Sequence, residues 1–259
     1  MSLAPARSRP RIVGHRGAKG LAPENTLAAF RVAIEVGADG VELDVQRSSD
    51  GHLLVFHDDD LQRITGVPGK LVEWPLARLK ELDAGSHFGP QFAGEPIPTL
   101  DEVIASLPRD CWINIEAKRS TWASDGLENA IVDVVRNWNL YERTVISSFN
   151  PAALWRIARM DHQIPLGLLY APHMPLWLGT AWPRHFLRLQ DLHPHFSQVT
   201  PDLVQQARQA GQAVNTWTVN EPAEMQAMVD LGVDGIITDQ PAGVLMSIFQ
   251  DVKKSKCES

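Results

Sequence analysis

The stretch "GVELDVQRSSDGHLLVFHD", Gly40–Asp58, carries two apolar strand patterns, Gly40–Val45 and Leu53–Phe56, with only "QRSSDGH" between them. How that short link is read decides the fold. Its turn chemistry, "SSDG", reads locally as an antiparallel hairpin. A parallel return is also within reach, because the eight residues from Val45 to His52 extend to ~26 Å at ~3.3 Å each, against a strand of ~17–20 Å. The polar residues choose between the two. Glu42 and Asp44 stand at i and i+2, on one face of a strand, framed by Val41, Leu43 and Val45. In a sheet covered by helices both carboxylates then point inward. A parallel return would finish the next strand, at His57-Asp58, beside those carboxylates, whereas a hairpin would finish it at the opposite end. The first strand pattern, Arg11–Gly14, ends at His15-Arg16, and "NIEAK" ends another at Glu116 and Lys118. Four successive strands ending in ionisable residues predict the parallel return.

Further strand patterns lie at Trp112–Ala117, Thr144–Ser148, Pro165–Leu169, Ala213–Thr218 and Asp234–Ile237. Helical periodicity fills Asn25–Val36, Leu100–Leu107, Gly126–Trp138, Pro151–Met160, Pro201–Ala210, Pro222–Leu231 and Ala242–Phe249. Three of these open with proline in the first turn, a start signal for a helix. Eight strands alternating with helices predict an α/β chain folded as a (β/α)₈ TIM-type barrel. An open doubly wound sheet is the competitor, but no Gly-x-Gly-x-x-Gly turn follows the first strand. Residues 59–98 hold few strand signals and many loop formers, and read as an insertion between strands three and four. Residues 1–259 are thus expected to form a single catalytic barrel domain.

Composition narrows the function. The 259 residues are 44% apolar, ample for a core, with no apolar run near the ~20 residues of a membrane span. A net charge of −7 argues against a general nucleic-acid or anionic-membrane binder, which would cluster Lys and Arg. Residues 1–10 contain no apolar core of a secretory signal. Cys111 and Cys257 show no metal spacing, so a reducing cytoplasm is the simplest compartment.

The strand ends carry the chemistry. Two carboxylates on one enclosed face repel each other and call for a cation or a shared proton. Glu42, Asp44 and Glu116 offer oxygen donors alone, a set that suits a hard divalent cation, Mg²⁺ or Ca²⁺, better than Zn²⁺. His15 and His57 are then free to move protons. Arg16 and Lys118 supply the local positive charge a phosphate needs in an acidic protein. Together these groups read as phosphoryl-transfer machinery.

In order, "HRG", "PENT", "ELD", "FHD", "IEAK", "SSF", "WTVN" and "DGIITD" closely resemble the glycerophosphodiester phosphodiesterase family, most of all its soluble single-domain bacterial members. The resemblance runs from about Ile12 to Pro241. It implies a TIM-type barrel that hydrolyses glycerophosphodiesters to glycerol 3-phosphate and an alcohol with one divalent cation. His15 and His57 would be the general acid/base pair, and Arg16 and Lys118 would contact phosphate. Glu42, Asp44 and Glu116 would ligate the metal, and Trp217 would stack on the glycerol. Glu24 and Asn25, within "PENT", would support by hydrogen bonds. Asp58, beside His57, reads as an orienting carboxylate, and Asp239 either caps a helix or supports the site. The alternatives are a lysophospholipase D acting on lipid-bearing diesters and a protein that binds a phosphate ester without cleaving it. The partner is a small molecule, with neither nucleic acid nor stable membrane insertion expected.

The remaining residues take plainer readings. His162, His173, His185, His193 and His195 fit no ligand spacing and read as surface residues. Cys111 reads as buried filler, and Trp112 and Trp138 as core or inter-helix packing. The apolar segment "APHMPLWLGTAWPRHF", within Ala171–His195, reads as packing or an oligomer contact, with a lid or lipid-touching surface as the alternative.

Overall fold

The computed structural model describes residues 9–118, 125–172, 174–175 and 179–243. Nine strands form one sheet: β1 (Arg11–Gly14), β2 (Gly40–Arg47), β3 (Leu53–Val55), β4 (Trp112–Ala117), β5 (Thr144–Ser148), β6 (Leu166–Tyr170), β7 (Asp191–Pro194), β8 (Ala213–Thr216) and β9 (Gly235–Thr238). All neighbours are parallel except β2 and β3, and β1 pairs with both β2 and β9, so eight parallel strands close into a barrel. Helices follow most staves, in chain order α1 (Leu27–Glu35), the short α2 (Gln62–Thr65) and α3 (Leu76–Leu79), α4 (Leu100–Ser106), α5 (Leu127–Asn137), α6 (Pro151–Met160), α7 (Pro201–Gln209) and α8 (Pro222–Leu231). The expected helix Ala242–Phe249 lies almost wholly outside the described residues.

Two strand assignments are corrected. Leu53–Phe56 is not a barrel stave. It returns antiparallel, pairing Val45 with Val55 and Arg47 with Leu53. The turn that "SSDG" encodes prevails: Ser48 N–H donates to His52 O at 2.9 Å, the Ser48 hydroxyl donates to Asp50 Oδ1 at 2.6 Å, and Gly51 takes φ +97°. A full-length return would have carried His57 to the far end of the barrel. β3 has only three residues, ~10 Å at ~3.4 Å each, and it folds back over the part of β2 that overshoots Asp44. Phe56 N–H therefore donates to Asp44 O at 2.9 Å, and His57 arrives level with the carboxylates instead of at the far end. The eighth stave is β7, "DLHP", which the sequence reading passed over because two of its four residues are an aspartate and a histidine.

Strand register fixes which residues line the barrel. Partners across parallel strands share a face, so the chain of pairs Glu42↔Asn114, Asp44↔Glu116↔Ser147↔Gly167↔Asp191 and Leu169↔His193 puts all of these inside. His193, expected at the surface, is fully buried on that inner face. Asn114 lies 3.5 Å from its Nδ1 and Asn215 3.5 Å from its Nε2. Gly167 opposite leaves it room, since a Cβ there would stand 2.8 Å from His193 Nε2. At the base, the Arg11 guanidinium covers the Trp112 ring at 4.5 Å.

The outer face of the barrel packs against the helices through one apolar cluster that includes Phe30, Leu43, Ile115, Ile131 and Leu154. Cys111 is buried as expected, whereas Trp138 is 42% exposed and only its Nε1–H is held, by Asp101 Oδ1 at 2.7 Å. Residues 59–98, between β3 and β4, gather a second cluster of Leu54, Phe56, Leu61, Ile64, Leu71, Leu79, Ala84 and Ile97. Two of its members, Leu54 and Phe56, come from the hairpin return, so this cluster anchors the chain on either side of His57.

Candidate active site

The β1–α1 loop is shaped by close backbone approaches. Gly17 has φ +84°, and a Cβ there would fall 2.6 Å from the Ala29 carbonyl carbon and 2.8 Å from its oxygen. Arg16 and Asn25 also take left-handed φ, +51° and +58°, and Asn25 N–H donates to Arg16 O at 3.0 Å. Thr26 then caps α1, accepting from Ala29 N–H at 3.2 Å. Gly17→Ala is expected to cost ~2–3 kcal/mol through strain and collision, which in a chain of this size lowers Tm by about 4–12 °C. A thermal melt within one degree of the wild type would show that the loop accommodates the methyl group.

That loop delivers its side chains to the top of the barrel. The oxygens of Glu42, Asp44 and Glu116 lie within 4.8 Å of one another. Arg16 N–H donates to Glu42 Oε2 at 3.0 Å, and its guanidinium reaches Glu24 Oε1 at 2.8 Å and Asp44 Oδ2 at 3.3 Å. Lys118 Nζ lies 3.1 Å from Glu116 Oε1 and 3.7 Å from Asp44 Oδ1. Asn25 Nδ2 donates to Asp44 Oδ2 at 2.8 Å. Burial pushes the Asp44 carboxyl up, but Arg16, Lys118 and His57 outweigh it and bring its pKa to about 2. Glu42 goes the other way: burial, Asp44 and Glu116 raise it well above the ordinary carboxylate range. One face thus holds a carboxylate that neighbouring cations keep ionised and a carboxyl that burial and its acidic neighbours favour in the protonated form.

Two imidazoles flank this cluster, each backed by a carboxylate. His15 Nδ1 lies 2.6 Å from Asp239 Oδ1, and its Nε2 is 3.9 Å from Glu42 Oε2. Asp239 is itself fixed, accepting from Asn220 Nδ2 at 3.0 Å. Burial lowers the proton affinity of His15 more than Asp239 restores it. His57 Nδ1 lies 2.6 Å from Asp58 Oδ1. Trp217 lines the mouth, donating to His193 O at 2.8 Å and standing edge-on to Phe149 and His195, each at 5.5 Å. All twelve residues singled out in the sequence therefore gather at the C-terminal face of the barrel.

Three further residues were missed. Gln46 continues the inward alternation of Glu42 and Asp44, a signal present in the sequence. Its Nε2 lies 3.0, 3.1 and 2.7 Å from Phe56 O, His57 O and Asp58 O and shares its two N–H groups among them, pinning the chain at His57. Arg63, from the insertion, donates to Asp58 Oδ2 at 2.6 Å and Glu24 Oε1 at 2.7 Å, joining the supports of His57 and Arg16. Asn220, within "WTVN", holds Asp239. Only the folded chain brings Arg63 to Glu24.

A parallel barrel that brings three oxygen-donor carboxylates, paired imidazoles and fixed cations to one mouth defines a phosphoric-ester hydrolase of the TIM-barrel type. Comparison with known proteins resolves the class further. Residues 15–243 match the pattern of the Glycerophosphoryl diester phosphodiesterase family, and the chain belongs to that family. It is 41% identical over 234 residues to a glycerophosphodiester phosphodiesterase of Caldanaerobacter subterraneus subsp. tengcongensis, covering 89% of this chain and 94% of that one. It superposes with a TM-score of 0.80 on an Oleispira antarctica phosphodiesterase in complex with the product sn-glycerol-3-phosphate, at 33% identity over 93% of this chain and 97% of that one. With the glycerophosphodiester phosphodiesterase of Thermotoga maritima the TM-score is 0.74, at 28% identity over 93% and 99%. Among the described residues no helix is long and apolar enough to cross a membrane.

Proposed function

We propose that this protein hydrolyses glycerophosphodiesters to glycerol 3-phosphate and an alcohol by histidine acid/base catalysis beside one divalent cation. The observation that carries the reading is the pairing of two carboxylate-backed imidazoles, His15–Asp239 and His57–Asp58, around the cluster of Glu42, Asp44 and Glu116. A protein that merely bound phosphate would need Arg16 and Lys118 but no such pair.

The donor set fits a hard cation. Its members are all carboxylates, and Glu42, destabilised as an anion by burial, Asp44 and Glu116, is the group a positive ion would relieve. When bound there, Mg²⁺ or Ca²⁺ supplies Lewis-acid polarisation of a phosphoryl oxygen. The chain's own groups do the rest. Arg16 and Lys118 hold the phosphate and neutralise charge that builds on it. Asp239 takes the Nδ1–H of His15, leaving Nε2 toward the centre as a proton acceptor, and burial keeps that ring neutral. His15 thus suits removal of a proton from the attacking water, whose oxygen ends on the phosphate of the product. His57, oriented by Asp58, delivers a proton to the departing alkoxide as its bond to phosphorus breaks. Glu24, Asn25 and Arg63 keep the two halves in register.

Release of glycerol 3-phosphate from glycerophosphoethanolamine, with and without chelator, tests the function. Turnover abolished by chelator and restored by Mg²⁺ or Ca²⁺ is expected, and no release under either condition removes the reading. Selectivity follows from the same site. Phosphate contacts cannot tell one alcohol from another, so the glycerol hydroxyls, the polar rim and the face of Trp217 must define the substrate. Glycerophosphocholine and glycerophosphoethanolamine are expected within about tenfold of each other in kcat/KM, and bis(p-nitrophenyl) phosphate should turn over far more slowly despite its better leaving group. Faster cleavage of the nitrophenyl ester would show that glycerol is not recognised.

A further inference from the structure

Immediately after β6, the inner and outer faces of the barrel wall part company. Leu169 shares its register with His193 and lies inside, so Tyr170, the next residue, faces outward. There it meets a shallow cavity of about 430 Å³, open to solvent, between the β6–β7 connection and α7, outside the barrel and apart from the carboxylates and histidines described above. Tyr170 is 3% exposed, and among the described residues its hydroxyl has no hydrogen-bond partner. Gln198 lines the same cavity; its Nε2 is used, on Gly179 O at 2.8 Å, but its buried Oε1 also has no partner there. Two orphaned polar atoms on two residues that line one cavity are unusual, because buried hydroxyls and amides are nearly always satisfied.

The polar residues around the cavity include charges of both signs. Arg184 and the imidazole of His185 come from the β6–β7 connection, and Asp202 from the first turn of α7. Arg184 is oriented by Gln206, with Nη2 donating to Oε1 at 2.8 Å. Donors (the Tyr170 hydroxyl, Arg184, His185) match a phosphate. Acceptors (Gln198 Oε1, Asp202) match an ammonium or hydroxyl on the same molecule. The rim adds a third element. Trp182 and Phe186 are 43% and 80% exposed and pack edge to face at 5.9 Å. Between Ala181 and Arg188 the chain holds Arg184, His185 and Arg188 and no acid, within a protein of net charge −7. Exposed aromatics flanked by cations are the pattern of a surface that enters the head-group layer of a lipid bilayer.

We propose that this cavity is a second binding site, for the phosphodiester head group of an ethanolamine-bearing phospholipid, and that Trp182 and Phe186 beside it dock the barrel's catalytic face on a lipid surface. The site lies outside the barrel wall and does not depend on the reaction proposed above, so it is tested by binding rather than turnover. The probes are vesicles of pure phosphatidylcholine and vesicles with phosphatidylethanolamine mixed in, measured by cosedimentation with the full chain. Phosphatidylethanolamine is expected to strengthen binding, since its ammonium can donate to Gln198 and Asp202 where a trimethylammonium cannot. Tyr170→Phe and Arg184→Gln should each weaken binding about tenfold by removing a donor to a charged group. Trp182→Ala with Phe186→Ala should weaken it at least as much. Turnover of soluble glycerophosphoethanolamine should stay at the wild-type level in all of them. Failure of the wild type to sediment with either vesicle overturns the proposal. So does vesicle binding that is indifferent to Tyr170 and Arg184, or capture of soluble glycerophosphoethanolamine at this site without vesicle binding. A protein partner on the same aromatics would leave the vesicle assay negative and overturn it likewise.

Discussion

His57→Ala is expected to lower kcat by about 10²–10⁴, the usual contribution of a positioned proton donor, or roughly 3–5 kcal/mol of transition-state stabilisation. An alkoxide is a poor leaving group, and with His15 taken as the base, His57, its ring held by Asp58, is left to protonate it. His15→Ala should cost a similar factor by removing the base. The two losses should differ in their response to the leaving group. With an ester whose alcohol is already acidic, a missing acid matters less, so His57→Ala should recover much of its deficit and His15→Ala should not. Stopped or steady-state assays on a series of diesters would measure this. Equal sensitivity of both variants to the leaving group would reverse or erase the assignment of base and acid. The supports should follow their histidines: Asp58→Asn and Asp239→Asn leave the rings present but unfixed, and smaller losses in kcat with KM nearly unchanged are expected.

Much of this site was legible because its logic is local. The inward pair Glu42 and Asp44 follows from strand alternation alone, and the capped, proline-started helices follow from their first residues. What failed was long-range. The link at Ser48–Gly51 carried the chemistry of a hairpin, and barrel counting overruled it. The count of eight survived only because β7, with its inward Asp191 and His193, was passed over at the same time. Polar residues inside a barrel lack the apolar alternation by which strands are recognised, so β7 looked like a loop and His193 like a surface residue. Arg63 shows a different limit. Its bonds to Glu24 and Asp58 depend on the insertion folding back over the mouth, which no spacing in the sequence encodes.

The carboxylate cluster should show the largest effect of all, and in two independent readouts. Removing one of three carboxylates lowers both the charge and the donor count, so Glu42→Gln, Asp44→Asn and Glu116→Gln should each be inactive at ordinary concentrations of Mg²⁺ or Ca²⁺. They should differ in rescue. Asp44 also holds Asn25, Arg16 and Lys118, so its amide variant loses the arrangement of the phosphate cations and excess metal should not restore it. Glu116 is bonded to Lys118 alone among these neighbours, so Glu116→Gln is the variant that excess metal should partly rescue. Stability provides the second readout. The proton affinity of Glu42 is raised in the folded state by burial, Asp44 and Glu116 above its ordinary value of 4.5. Its contribution to stability is therefore full below that value and is lost as the pH climbs through the raised folded-state pKa. Asp44, held at about 2, contributes in full above its ordinary value of 3.8, and that contribution disappears as the pH falls through the folded-state value. Between its ordinary value and the raised folded-state pKa the metal-free protein keeps Glu42 protonated, and a cation binds there by displacing that proton. The gain in Tm on adding Mg²⁺ or Ca²⁺ should accordingly grow with pH in the wild type. In Glu42→Gln it should be smaller and flat. A gain in Tm independent of pH, or full activity after exhaustive chelation, would mean that these three carboxylates hold no catalytic cation.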